Sequence, residues 1–230
     1  MKLKNFFYIK KEILSRKLAL AFSRTRALTP LQLILKTLKC NNFLPERLVA
    51  LELFGFIGTS TTLDYAQLTD YLEIWELNAD FAKVAQKNIP QAKVICGNSV
   101  DAIKTGKVLR KDYNFIVIDT NSSSAYDDGS YESFSVFPNA LNYIADNAVI
   151  IVTIYTELNN YTKHYKRELN QNWIKARKDF FELENVINAR GIDYLKGFEK
   201  QIILKNINIV QSQFFSRNDS VGFGVFVLKK

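Results

Sequence analysis

From residue 48 onward the chain alternates short apolar runs with helix-period stretches, and this alternation restricts the fold more than any other feature. LVALELF, YLEIWELN, AKVICGN, YNFIVIDT and AVIIVTIY are each seven or eight residues long. TSTTLDYAQLTD, ADFAKVAQKN, SVDAIKTGK and FSVFPNALNYIAD separate them and read as helices, the first capped by Thr59 or Ser60 and the second stopped by Pro90. Pro138 starts or kinks the fourth. Strands this apolar are buried on both faces, as parallel strands between layers of helices are. Repeated strand–helix–strand units imply right-handed crossovers and a doubly wound α/β sheet.

After the fifth run the rhythm changes. Residues 159–188 read as a long polar helix containing Trp173, and 189–205 as another helix. The chain closes with NINIVQSQFF, the turn SRNDS and VGFGVFVLKK, which read as an antiparallel hairpin. The expected fold is therefore α/β: a doubly wound, mostly parallel seven-stranded sheet ending in an antiparallel hairpin.

A chain of 230 residues with 47% apolar composition can bury one substantial core. Its net charge of +8 is unevenly placed. Residues 1–47 hold eleven Lys/Arg, among them Lys10, Lys11, Arg16, Lys17, Arg24 and Arg26, against Glu12 and Glu46, so the remainder is close to neutral. Within this leader KKEILSRKLALAFSR puts Ile13, Leu14, Leu18, Ala21 and Phe22 near helical spacing, and Thr29-Pro30 opens a second helix, LQLILKTLK. We divide the chain into a basic helical extension, 1–47, and an α/β domain, 48–230, in which 159–188 is a substrate lid or a homo-oligomer contact. The extension suits nucleic acid, a phosphorylated substrate or a membrane surface, or is a solvated helix face.

No apolar run approaches the roughly 20 residues that span a bilayer. Cys40 and Cys96 show no paired spacing, and with one histidine a Cys/His zinc site is not expected. A reduced, cytoplasmic setting follows. Trp75, Trp173 and Cys96 read as packing residues.

The first apolar run ends in ELFGFIGTST. In a doubly wound sheet ligands bind beyond the carboxyl ends of the strands, where strand order reverses. Gly55 and Gly58, lacking a Cβ, would let the backbone approach a ligand, and the following helix would offer unpaired N–H groups at Thr59, Ser60 and Thr61.

With IWELN, CGNS and VIDT ending the next three runs, residues 48–230 resemble the class I S-adenosylmethionine-dependent methyltransferases. The resemblance implies S-adenosylmethionine as cofactor. It implies that Glu52, Gly55, Phe56, Gly58, Thr59 and Ser60 form the strand-one turn, and that Glu76 hydrogen-bonds the ribose hydroxyls. It puts Asn98 and Ser99 near the adenine, with the Asn98 oxygen accepting from the amino group, and Asp119 toward the methionine end or the acceptor. A ribose diol presents two donors, which a carboxylate accepts in charge-assisted bonds. The family commonly has glycine at the position of Phe56, so the ring forms a wall of the crevice or crowds it.

Strand four lacks the Asn/Asp-Pro-Pro-aromatic pattern of many amino-group methyltransferases, which argues against adenine or cytosine methylation. The loop NSSSAYDDGSYES carries Asp127 and Asp128, candidates alongside Asp119 for a base toward a hydroxyl or a hold on an amine. His164 is suited to deprotonating a hydroxyl near neutral pH. Asp119 with Asn121 half-matches the metal-dependent O-methyltransferases, but VTIYTELNN lacks their later acidic pair, so no metal is expected. DTNSSS echoes the aminopropyltransferases only weakly. The favoured reading is methyl transfer to a hydroxyl or amine of a small-molecule or carbohydrate-like acceptor. The alternatives are an RNA or DNA methyltransferase gripping phosphates through residues 1–47, and a non-catalytic scaffold with Phe56 closing the pocket.

Overall fold

The structure, a computed structural model, describes residues 28–58, 61–120, 133–156, 158, 168–218 and 220–230. The leader helix read at 10–24, Thr59, Ser60, the loop bearing Asp127 and Asp128, and His164 lie outside these residues. In chain order the elements are α1 (Pro30–Cys40), β1 (Leu48–Leu53), α2 (Thr61–Ala66), β2 (Thr69–Glu76), α3 (Ala79–Asn88), β3 (Lys93–Cys96), α4 (Ser99–Thr105) and β4 (Tyr113–Ile118). There follow α5 (Ser133–Ala140), β5 (Ile144–Tyr155), α6 (Gln171–Phe181), α7 (Gly191–Leu204), β6 (Asn208–Asn218) and β7 (Val221–Lys229).

The strands form one seven-stranded sheet in the order β3-β2-β1-β4-β5-β7-β6. β1 pairs in parallel with β2 and β4, and β4 with β5, while β7 runs antiparallel between β5 and β6. The order reverses at β1, which lies between β2 and β4. That reversal puts the ends of three strands around one crevice position.

Both faces of the sheet are apolar. On one, Leu51, Leu53, Ile116, Ile118, Ile150 and Val152 pack with Phe137 of α5 and Phe198 of α7. On the other, Leu48, Ala50, Phe115 and Ile151 pack with Tyr65 of α2 and with Leu31, Ile34, Leu35 and Leu38 of α1. These last four recur at helical spacing and make a single buried stripe. Thr29 caps α1 in a reciprocal capping box with Gln32, and both side chains also donate to Asp64 of α2. The second helix of the basic extension is thus part of the core of the domain. No described helix is long and apolar enough to cross a membrane.

Several boundaries differ from the sequence reading, each for a local reason. The helix expected over 59–70 stops at Ala66, because the Thr69 hydroxyl closes onto the Ala66 carbonyl at 2.7 Å and Thr69 and Asp70 join β2. Asn170 caps α6 and Glu182 ends it in the left-handed region (φ 54°), so 182–190 is not helical. Pro138 sits inside α5, which ends two residues later and passes into a 3₁₀ turn. The hairpin strands stay paired up to Asn218 and Val221, giving a tighter turn than SRNDS suggested. Cys96 is exposed rather than a core residue, because β3 is an edge strand. Trp75 and Trp173 are buried packing residues as expected.

Candidate active site

The turn after β1 has an unusual backbone. Phe54, Phe56 and Gly58, alternate residues, have φ of 67°, 47° and 61°. Left-handed conformation costs a non-glycine L-residue about 1–2 kcal/mol, so two phenylalanines here store strain. Strain of this sort collects where a backbone shape is needed for function. The N–H of Gly55 donates to the Trp75 carbonyl at 2.9 Å, and that of Gly58 to the Gly55 carbonyl at 3.0 Å.

Gly55 is required for a steric reason the sequence reading did not give, whereas at Gly58 the positive φ itself favours glycine. A Cβ on Gly55 would fall 2.1 Å from Ile74 Cγ2, and one on Gly58 would fall 3.1–3.3 Å from Ile89 and Ala85. The close approach is between the turn and the protein's own β2 and α3. The Asn88 amide adds a 2.7 Å bond to the Ile57 carbonyl, fixing the turn to the end of α3.

Glu76 ends β2 with its carboxylate beside this turn and 8% exposed. One oxygen accepts the Phe56 N–H at 2.8 Å and the other the Asn78 N–H at 2.7 Å. Burial raises its pKa from the usual carboxylate range, and these backbone donors oppose the rise. A carboxylate has about four lone-pair directions, so lone pairs remain for a diol. The half-buried Phe56 ring meets Phe81, in the first turn of α3, edge-on at 4.7 Å between centroids.

Glu52 is the last residue but one of β1, on the α2 side, and is 2% exposed. Its carboxyl oxygens accept from the Thr62 hydroxyl at 2.8 Å and the Tyr65 hydroxyl at 2.5 Å. Burial pushes its pKa up to about 8 against the opposing effect of these donors, and the negative charges of Asp119 and Glu76 add to the rise. Burial also drives the Tyr65 phenol well above its ordinary value, so it stays a donor. Asp119, beyond β4, is clamped by Thr61 of α2 at 2.9 Å and Thr153 of β5 at 2.6 Å. The next residue, Thr120, is 4% exposed, and its hydroxyl has no hydrogen-bond partner among the described residues. The Tyr155 hydroxyl donates to the Thr120 carbonyl.

The structure therefore brings Glu52, Gly55, Phe56, Gly58, Glu76 and Asp119 together at the ends of β1, β2 and β4. Asn98 and Ser99 follow β3 on the neighbouring side. The Asn98 oxygen is already engaged, since it caps α4 by accepting from Val100 and Asp101 N–H. The Asn98 amide N–H₂, a donor, is the group left for a base edge. Ser99 is buried in the first turn of α4.

The sequence reading missed Thr62, Tyr65 and Thr153, the hydroxyls that hold the carboxylates. Thr62 and Tyr65 lie three apart on α2, a spacing that places them on one helix face. It also missed Glu73, fully buried outside the site, which accepts from Trp75 Nε1, the Tyr71 and Tyr113 hydroxyls and the Leu109 N–H.

Neither a protein-family model nor a curated protein matches the chain. Solved structures do. A S-adenosylmethionine-dependent methyltransferase from Clostridium acetobutylicum superposes with a TM-score of 0.58 at 12% identity, covering 96% of this chain and 98% of that one. The magnesium protoporphyrin IX methyltransferase of Synechocystis, solved with bound SAH, gives 0.53 at 12% identity over 86% and 81% of the two chains. N-methyltransferase NodS from Bradyrhizobium japonicum gives 0.52 at 11% identity over 91% and 98%. The chain has the class I, Rossmann-like methyltransferase fold. Likeness at this identity establishes the architecture, while chemistry has to be argued from the site.

Proposed function

We propose that this protein is an S-adenosylmethionine-dependent methyltransferase acting on a hydroxyl or amine of a small-molecule or carbohydrate-like acceptor. The observation that carries the proposal is the Glu76 carboxylate, held at the end of β2 by the N–H groups of Phe56 and Asn78 beside a turn strained at Phe54 and Phe56. In this reading the remaining lone pairs of Glu76 accept the ribose hydroxyls. Gly55, Phe56 and Gly58, with Thr59 and Ser60, line the turn, and the Phe56 ring is a wall braced by Phe81. Asn98 donates its amide N–H to the adenine, with Ser99 beside it.

The bound cofactor would supply a methyl carbon already activated by its sulfonium, so the protein's work is alignment and exclusion of water. Glu52 and Asp119 put negative charge where the sulfonium and α-ammonium would lie. Asp119, Asp127, Asp128 and His164 are the candidates for receiving or steering the acceptor's proton. A magnesium protoporphyrin IX methyltransferase and an N-methyltransferase among the structural neighbours support methyl transfer to a discrete acceptor.

The test is transfer of label from methyl-tritiated S-adenosylmethionine to pooled hydroxyl- and amine-bearing metabolites. Label should appear in an acceptor fraction with wild type and fall with Asp119→Asn. No transfer to any pool, with the protein folded, would count against the proposal.

A further inference from the structure

Glu52, 2% exposed, is the most buried of the described carboxylates of the site. Glu76 at the end of β2 and Asp119 just beyond β4 flank it, and their negative charges act on it. It has hydroxyl donors from Thr62 and Tyr65 and no ion-pair partner among the described residues. Three carboxylates at neighbouring strand ends cannot all be charged cheaply when one is dry. The proton therefore settles on Glu52. A ligand that brings a sulfonium and an ammonium to this place reverses the balance, because opposite charge nearby favours ionisation of the buried group.

We propose that Glu52 is a proton-exchanging positioning residue that gives up its proton when a sulfonium-bearing cofactor binds and so discriminates the charged methyl donor from the neutral thioether product. The inference rests on the cofactor reading above. The groups facing Glu52 are Thr62 and Tyr65 from α2, Glu76 at the end of β2 and Asp119 beyond β4. Binding releases the proton to solvent, and Thr62 and Tyr65 go on donating to the carboxylate that remains. When the sulfonium is replaced by a thioether, one positive charge is gone and the balance returns toward the protonated acid.

With the carboxyl titrating at about 8 in the free protein, roughly nine-tenths of it carries a proton at pH 7. Titration calorimetry in two buffers of different ionisation enthalpy counts the protons released. We expect close to one per S-adenosylmethionine bound at pH 7, and clearly fewer for S-adenosylhomocysteine. In Glu52→Gln the release disappears and the preference for the charged ligand shrinks. The ligand's own α-ammonium titrates near pH 8, so the Glu52 contribution is the difference between wild type and variant.

A second variant guards against weak binding by the first. Tyr65→Phe keeps the packed ring but removes a donor that holds the Glu52 pKa down, so its proton release should persist to higher pH than in wild type. Binding without proton release in wild type, release unchanged in Glu52→Gln, or an unshifted pH window in Tyr65→Phe would each overturn the inference while leaving cofactor binding intact. Absence of binding by folded wild type would instead remove the cofactor reading, and this inference with it.

Discussion

The backbone N–H of Phe56 donates to the Glu76 carboxylate at 2.8 Å, joining the turn after β1 to the end of β2. The bond makes a strained turn and a buried acid depend on each other. It also explains how a phenylalanine stays in the left-handed region, since its N–H is held by a charged acceptor and its ring by Phe81. A charge-assisted bond of this kind is about twice as strong as a neutral one.

Substitutions at Phe56 test the strain. Alanine loses the ring contact and keeps the left-handed backbone, whereas glycine loses the ring and relieves the backbone. Phe56→Gly should be more stable than Phe56→Ala by about 1 kcal/mol, measured by urea unfolding. The reverse order, normal where φ is negative, would mean that the turn is not left-handed at residue 56.

Gly55 is fixed by sterics rather than by conformation. Because its missing Cβ would sit 2.1 Å from Ile74 Cγ2, Gly55→Ala should destabilise by more than about 2 kcal/mol. Combined with Ile74→Ala it should recover much of that loss, giving a clear coupling energy in a double-mutant cycle.

The stability of the free protein should fall as pH rises. Glu52 in the folded state titrates at about 8 against an ordinary 4.5, so the native state binds more protons than the unfolded chain between those values. Its stabilising effect is complete below pH 4.5 and lost by pH 8, at most about 5 kcal/mol in all. Glu76 and Asp64, also raised by burial, act in the same direction. Thermal unfolding in Glu52→Gln should show a visibly flatter pH dependence over this range than wild type.

Much of this was legible in the residues, and the parts that were not have a common cause. The bounds of α3 were readable from ADFAKVAQKN and Pro90, and the structure has the helix at Ala79–Asn88 with Asn78 as its cap. The hairpin and the parallel sheet follow from pattern. What the sequence hid was long-range. Ile74 and Ala85 meeting the two glycines, Thr62 and Tyr65 reaching Glu52, and four donors converging on Glu73 are contacts made only on folding. Cys96 was misjudged because apolar spacing does not tell an edge strand from a central one.

Glu73 provides a control for fold against function. Replacing it with alanine strands Trp75 Nε1 and the Tyr113 hydroxyl proton in the interior and removes the acceptor of the Leu109 N–H. The expected cost is at least about 3 kcal/mol of stability, with ligand affinity of the remaining folded protein unchanged. A selective loss of affinity would assign Glu73 to the site.

The basic leader is testable by a truncation that spares α1. Because α1 is packed against the sheet, the cut belongs before residue 28, removing Lys10, Lys11, Arg16, Lys17, Arg24 and Arg26 together. If the leader grips phosphates, the full chain should bind RNA or heparin with steep salt dependence, and the truncated chain should not. Equal retention of both would end the nucleic-acid alternative.

Titration calorimetry of S-adenosylhomocysteine into wild type and Glu76→Gln bears most directly on the whole account. Wild type should bind one equivalent saturably, and the variant at least about tenfold more weakly, as expected when a charge-assisted pair is lost. No heat from folded wild type at millimolar ligand, or equal affinity in the two proteins, would contradict it.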